Sequence, residues 1–99
     1  MITELVTFPI RSNLTREQVI ELYKRAESTR GNPALVHQSY LYDGLRNRGG
    51  GVYLWKNIDA AKQGHDTRWC ARMAELFGGE PTFEYFETPV VIDHSARRE

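Results

Sequence analysis

The order of strand-like and helix-like segments constrains this fold more than any other feature of the sequence. Residues 2–10 favour an extended strand that contains a proline near its end. Thr15 and Gln18 have the spacing of a capping box, and the predicted helix after them places apolar side chains on one face: Val19, Leu22, Tyr23 and Ala26. The Gly-Asn-Pro sequence at residues 31–33 ends that helix.

The middle of the chain predicts a β-hairpin. Residues 34–43 and residues 52–56 are both rich in aromatic and aliphatic side chains, which is typical of paired strands. The stretch between them, GLRNRGGG, is polar and rich in glycine, so we expect it to form a loose loop. Its three glycines do not indicate a phosphate site, because a strand follows them instead of a helix N-terminus.

The second half of the chain predicts two helical pieces and a last strand. Residues 58–63 form a short helix, and Asp66 caps a second one that runs to Phe77. Residues 82–93 are strand-like, and residues 94–99 form a charged tail. The order β-α-β-β-α-β predicts an α+β, ferredoxin-like fold with an antiparallel sheet and the helices on one face. Residues 1–99 are expected to form a single domain.

Apolar side chains occupy both parities of the predicted strands. A sheet that is covered on one face only should alternate apolar and polar residues. Here large apolar residues fall on either parity, among them Leu35, Val36, Tyr40, Leu41, Tyr42, Val52, Tyr53, Leu54, Trp55, Phe83, Tyr85 and Phe86. We therefore expect an aromatic second face, which another copy of the sheet would cover in a two-fold homodimer. The run at residues 90–92 could then reach the partner's edge.

The composition narrows the classes of partner. Thirteen basic residues balance thirteen acidic ones, so neither nucleic acid nor an anionic membrane is expected as a partner. An RNA-recognition motif shares this order of elements, but Gly50 and Val52 occupy the positions of its stacking aromatics. Cys70 is the only cysteine, and the first residues lack the features of a signal peptide, so a cytoplasmic location is expected.

The segment GHDTRWCARM, residues 64–73, has both a structural and a catalytic interpretation. Its Trp69 and Met73 begin a helical stripe that continues to Phe77, which is the spacing of a core-facing surface. His65 is either a solvated surface residue or an acid–base group beside a cavity. The glycine before it predicts a helix break that would keep His65 off the face of Trp69.

The remaining candidates give no recognised catalytic motif. His37 lies in the middle of a predicted strand, where it either faces a ligand or forms a hydrogen bond in the core. The three histidines and one cysteine lack metal-ligand spacing, so no metal site is expected. No GxSxG sequence is present for a serine nucleophile.

The segments GGVYLWKNIDAAKQGHD, RWCARMAELFGGEP and YFETPVVID resemble the YdhR-type mono-oxygenase family. That family belongs to the dimeric α+β barrel superfamily, together with the antibiotic-biosynthesis mono-oxygenases. The resemblance extends from the first strand to about Asp93 and implies two sheets packed face to face in a homodimer. It also implies mono-oxygenation of a small aromatic, quinol-like substrate by molecular oxygen, without a metal or another cofactor.

Such a reaction needs an apolar cavity, a base, and hydrogen-bond donors for a developing oxyanion. The resemblance fixes no catalytic residue, but the sequence supplies suitable residue types: His37 or His65 as the base, Tyr40, Tyr53 and Trp69 as donors or walls, and Trp55 and Met73 to complete the lining. The alternative is a non-catalytic dimer that binds a small ligand or has a structural role. A cavity filled by Trp69 and Met73 would favour that alternative. The first strand has no asparagine, unlike the haem-degrading members of the superfamily.

Overall fold

A computed structural model describes residues 1–27, 29 and 31–97. Its elements are β1 (Ile2–Pro9), α1 (Arg16–Ala26), β2 (Leu35–Asp43), β3 (Arg48–Trp55), α2 (Ile58–Gly64), α3 (Thr67–Phe77), β4 (Thr82–Glu87) and a 3₁₀ turn at His94–Arg97. The strands form one antiparallel sheet in the order β2-β3-β1-β4. The ferredoxin-like α+β fold predicted from the sequence is confirmed.

Local side-chain chemistry sets the ends of the helices. The Thr15 side chain accepts a hydrogen bond from the backbone N–H of Gln18, whose own side chain accepts from the backbone of Thr15. In the same way, Asp66 Oδ1 accepts from the backbone N–H of Trp69 at 2.9 Å, and α3 starts there. Gly78 ends α3 with a φ of 114°. These three boundaries agree with the sequence, but α1 ends at Ala26, so the expectation that the sequence at residues 31–33 ends it is wrong.

The glycine-rich connection is mostly strand, so the expectation of a long loose loop is wrong. β3 begins at Arg48, which leaves only residues 44–47 for the turn. Gly50 pairs with Thr7 of β1 on one side and with Leu41 of β2 on the other. A Cβ atom at Gly50 would lie only 1.8 Å from the carbonyl oxygen of Val6. The absence of a side chain is therefore what lets β1 approach β3 so closely.

The last strand is shorter than the sequence indicates. β4 ends at Glu87, and residues 88–93 are not part of the sheet. The backbone N–H of Thr88 donates to the carbonyl oxygen of Met1 at 2.9 Å. Beyond this bond the chain leaves the sheet at Pro89.

The register divides the side chains between the two faces of the sheet. Glu4 of β1 pairs with Tyr53 of β3 and Tyr85 of β4, and these three side chains lie on the face covered by the helices. The buried core on that face consists mainly of Val6, Phe8, Ile10, Val19, Tyr23, Tyr53, Trp55, Met73 and Phe77. The two faces therefore differ in their chemistry.

The open face differs from the aromatic surface expected from the sequence. Its apolar side chains are aliphatic apart from one phenylalanine, and they include Leu5, Leu41, Val52, Leu54 and Phe86. The aromatic residues of β2 and β3 point to the helices instead, because Tyr40 shares its face with Tyr53. The second face is apolar, as expected, but it is mainly aliphatic, so the expectation of an aromatic surface is wrong.

Candidate functional site

A buried carboxylate joins an imidazole and an indole beneath the helices. The side chain of Glu4 is fully buried, because its position in β1 has the same inward parity as Val6. Its Oε1 accepts a hydrogen bond from Trp55 Nε1 at 2.9 Å and lies 2.7 Å from His65 Nδ1. The three side chains come from β1, β3 and the α2–α3 connection.

The break between α2 and α3 directs His65 into the core. The backbone N–H of His65 still donates to the carbonyl oxygen of Ala61, but its φ of −118° and ψ of 67° leave the helical region. Gly64 packs against the Trp55 ring so closely that a Cβ atom there would lie 2.6 Å from it. His65 is consequently only 6% exposed, and its interpretation as a solvated surface residue is wrong.

Aromatic rings surround the His65 imidazole. Trp69 is the nearest, with ring centroids 4.1 Å apart, so the helix break does not separate these two residues as the sequence suggested. Tyr53 lies edge-on at 4.4 Å, and Trp55 lies edge-on at 5.7 Å. Phe83 contributes a fourth ring at 6.4 Å. The imidazole therefore sits in a largely apolar environment with one carboxylate partner.

A narrow cavity extends from His65 toward β2. It is lined by Phe8, Tyr23, Ala26, Glu27, Thr29, Tyr40, Gly50, Tyr53, His65, Trp69 and Met73. The volume of this cavity is about 10 Å³. In this conformation the cavity has room for about one water molecule, and a larger ligand requires movement of the lining side chains.

A hydrogen-bonded carboxylate lies at the other end of the cavity. Glu27 accepts from the backbone N–H of Thr29 at 2.9 Å and from the hydroxyl of Thr29 at 2.8 Å, and its second oxygen accepts from Gln38. Burial alone would raise the pKa of the Glu27 carboxyl, but hydrogen bonds from Thr29, Gln38 and Tyr40 outweigh it and lower that pKa. The cavity is thus polar and negatively charged at this end.

Tyr23 and Tyr53 remain protonated near neutral pH. Burial raises the pKa of Tyr23 and of Tyr53, and nearby negative groups add to the effect at Tyr53. The Tyr23 hydroxyl donates to the carbonyl oxygen of Leu41 at 2.6 Å and accepts from the backbone N–H of Gly50 at 3.1 Å. Tyr23 therefore braces the cavity wall, while Tyr53 supplies a neutral hydroxyl group to the same cavity.

Five of the side chains predicted from the sequence meet at this cavity, and they are His65, Tyr40, Tyr53, Trp69 and Met73. Trp55 lies outside the described lining, fully buried, where its indole N–H donates to Glu4. His37 lies on the open face of the sheet, opposite Leu54, and is exposed. The structure therefore does not bring His37 together with His65.

The sequence reasoning missed the two carboxylates, Glu4 and Glu27. One signal for Glu4 was available, because it lies at the inward parity of a strand that otherwise places Val6 and Phe8 in the core. A charged residue at such a position indicates a buried polar partner. Glu27 follows the last residue of α1 and gave no comparable signal.

The structure also bears on a metal site, a membrane-spanning helix and the Cys70 thiol. Among the described residues, no group of three histidine, cysteine, aspartate or glutamate side chains lies close enough together to hold a metal ion. In residues 1–27, 29 and 31–97, no helix is long and apolar enough to cross a membrane. Burial raises the pKa of the half-buried Cys70 thiol, so it is not an activated nucleophile.

Solved structures of oxygenases share this fold. A variant of SnoaB, a cofactor-independent oxygenase from Streptomyces nogalater, is 14% identical and superposes with a TM-score of 0.64 over 92% of this chain and 95% of its own. The ActVA-Orf6 monooxygenase of Streptomyces coelicolor, in complex with nanaomycin D, is 20% identical, with a TM-score of 0.67 over 92% and 89% of the two chains.

A haem-degrading protein has the same architecture. MhuD from Mycobacterium tuberculosis, with two haems bound in its active site, is 14% identical and has a TM-score of 0.66 over 94% of this chain and 100% of its own. Other similar structures are described as antibiotic biosynthesis monooxygenases, and this chain has their fold. No protein-family model and no curated protein matches the sequence. At these identities the likeness establishes the fold alone.

Proposed function

We propose that this protein is a homodimeric, cofactor-independent mono-oxygenase that oxidises a small aromatic, quinol-like molecule with molecular oxygen. The observation that carries the proposal is the buried Glu4–His65 pair at the end of an aromatic-lined cavity. The shared fold with cofactor-independent oxygenases supports it. A YdhR-type membership and a cytoplasmic location remain part of the same proposal.

His65 is the proposed base. Its Nδ1 is engaged in the contact with Glu4, so Nε2 is left to accept the hydroxyl proton of a substrate held in the cavity. The Tyr53 side chain lines the same cavity, and its hydroxyl group, on the side of Gly51, provides a hydrogen-bond donor there. The resulting substrate anion reduces molecular oxygen. One oxygen atom enters the substrate, and the other leaves as water with the two electrons that the substrate loses.

The cavity must widen for a substrate to enter. Tyr40 and Trp69 both line it and are both partly exposed, so rotation of their side chains can open it without a change in the backbone. Met73 is buried and limits the depth of the cavity. A planar ligand would replace the contact between His65 and Trp69 with its own ring.

A second copy of the chain is the proposed cover of the open face. Leu5 and Leu54 are half-buried there, and Phe86 is 52% exposed. The apolar residues 90–92, in the segment after β4, are also exposed, and in such a dimer they would reach the partner's edge. His37 lies on the same face and would become an interface residue in such a dimer.

Sedimentation velocity tests the dimer. We expect the wild-type protein to sediment as a dimer and Phe86→Asp to shift it to monomer, because a charge would then be buried in the interface. Glu17→Gln, at an exposed position of α1 away from the open face of the sheet, provides a control for the substitution itself. A wild-type monomer at all concentrations would refute the face-to-face barrel.

Oxygen uptake with a panel of hydroquinones and dihydroxynaphthalenes tests the reaction. We expect uptake with at least one member of the panel, and a loss of about 100-fold or more in His65→Ala. His94→Ala, in the exposed tail, is the matched control. Undiminished activity in His65→Ala would remove the assignment of the base.

The second candidate function is a dimer that binds a small ligand without turnover. The narrowness of the cavity favours it, because Trp69 and Met73 occupy much of the space beside His65. Native mass spectrometry separates the two candidates when it is combined with the uptake assay. A retained small molecule without oxygen consumption would favour the binding protein.

A further inference from the structure

The burial of Glu4 is costly for the fold. An ionised carboxylate loses several kcal/mol of hydration when it enters a protein interior, and a well-packed apolar residue usually serves stability as well or better. Glu4 is fully buried among aromatic rings. Its two neighbours on the inward face of β1 toward the C-terminus, Val6 and Phe8, show which residue types this face accommodates. A role beyond packing is therefore required to explain the carboxylate.

The hydrogen bonds at Glu4 restrict the protonation of His65. An ionised carboxylate only accepts hydrogen bonds, and the indole N–H of Trp55 only donates, so Glu4 Oε1 is held as an acceptor. The atom of His65 that faces this oxygen, Nδ1, must then carry a proton. A neutral imidazole has one N–H group, so Nε2 is left with its lone pair.

We propose that Glu4 is a positioning residue that holds His65 as the Nδ1–H tautomer and stabilises the imidazolium formed when Nε2 accepts a proton. This role deepens the proposed function and rests on it at one point only: the proton is taken to come from a substrate. It assigns to Glu4 no contact with the substrate. The cost of burying this carboxylate is then offset by the orientation and charge that it gives the base.

The tyrosine and thiol groups packed near the pair are neutral near neutral pH, while the charged side chains on either side of His65 in the chain, Lys62 and Asp66, are exposed to solvent. Burial raises the pKa of Tyr53 next to His65, and burial together with the charge of Glu4 raises the pKa of Tyr85 to about 12. Burial also raises the pKa of the Cys70 thiol on α3. Trp55 and Trp69 carry no charge. Glu4 is thus the charged side chain placed to compensate an imidazolium at His65.

The second oxygen of the carboxylate adds a further observation. Among the described atoms, Glu4 Oε2 has no hydrogen-bond partner within 3.5 Å, although it is buried. Tyr85 lies opposite Glu4 in the register, and its hydroxyl group interacts with that carboxylate at longer range. The Tyr85 hydroxyl group is therefore the described group nearest in function to a partner for this carboxylate, in addition to Trp55 and His65.

Nitrogen-15 NMR of the histidine side chains tests the inference without a substrate. In the wild-type protein, recorded at pH 8, we expect the neutral form of His65 to carry its proton on Nδ1 and to leave Nε2 unprotonated. In Glu4→Gln, whose amide can donate as well as accept, we expect a shift toward the Nε2–H tautomer. Glu84→Gln, on the open face of β4, is the matched control and should leave the His65 signals unchanged.

Three results would overturn the inference: a wild-type Nε2–H tautomer, a permanent imidazolium at pH 8, or an unaltered tautomer in Glu4→Gln. If Glu4→Gln does not fold, the wild-type spectrum decides alone. The result is independent of turnover, because a protein that consumes no oxygen can still show the Nδ1–H tautomer. If oxygen uptake is found, Glu4→Gln should reduce kcat by about 100-fold or more with little change in KM.

Discussion

Replacement of Gly50 by alanine should disrupt the centre of the sheet. Gly50 lies in β3 between β1 and β2, and its φ of 154° is a conformation that residues with a side chain rarely adopt. A Cβ atom there would lie 1.8 Å from the carbonyl oxygen of Val6 and 2.8 Å from its carbonyl carbon. Both obstacles are backbone atoms, so no side-chain rotation can relieve the contact.

The expected loss of stability has two parts. A residue with a side chain at this φ costs about 1–3 kcal/mol. To reach ordinary contact distance the strands must also separate by more than an ångström, which breaks neighbouring ladder bonds and the bond from Gly50 N–H to the Tyr23 hydroxyl, each worth about 1 kcal/mol. We therefore expect Gly50→Ala to lose more than about 3 kcal/mol, a large part of the usual 5–15 kcal/mol for a domain.

Urea denaturation followed by circular dichroism measures this loss. Gly31→Ala is the matched control, because Gly31 also has a positive φ, 79°, but nothing lies within 4 Å of the added atom. The control should lose only about 1–2 kcal/mol, from the conformation alone. A Gly50→Ala protein within 1 kcal/mol of the wild type would refute the close approach of β1 and β3.

Three further predictions concern the cavity and its surroundings. Trp69→Phe keeps an aromatic ring near His65 but makes it smaller, so we expect the free energy of unfolding to fall by roughly 1 kcal/mol and a planar ligand to bind more weakly. Unchanged ligand affinity in a fluorescence titration would show that Trp69 serves packing alone. Met73→Ala removes a buried side chain, so calorimetry should show that the free energy of unfolding falls by about 2–5 kcal/mol and that added phenol partly restores it. If phenol restored none of the lost stability, that would argue against an enlarged cavity. The pKa of Tyr85 is raised from 10.0 to about 12 in the folded protein, so its contribution to stability is complete below pH 10 and is lost as the pH rises toward 12. Tyr85→Phe should flatten that alkaline decline in urea denaturation, and an unchanged decline would contradict the assignment.

The helix starts could be predicted from the sequence because their causes are local. Thr15 and Asp66 cap helices through hydrogen bonds to residues three positions later, and that spacing is visible in the sequence. The glycines of β3 could not be predicted as strand, because glycine has little intrinsic preference for a strand. Their pairing depends on β1 and β2, which lie on either side only in the folded sheet.

The lining of the site was predicted better than its chemistry. His65, Tyr53 and Trp69 meet in the structure, and all three were chosen for their residue types. The burial of His65 could not be predicted, because it depends on how closely Gly64 packs against the Trp55 ring. No pattern in the sequence indicates that contact. The size of the cavity likewise follows from the packing of side chains that are distant in the sequence.

The strand order has a consequence for how the chain assembles. β1 comes first along the sequence but lies inside the sheet, where Ile2 pairs with Trp55 on one side and with Glu87 on the other. Contacts between segments so distant in the sequence form slowly, because long loops must close first. Until β4 arrives, one side of β1 has unpaired backbone groups that can pair with another chain. A nascent molecule is therefore most exposed to misassociation at the strand that later holds its buried carboxylate.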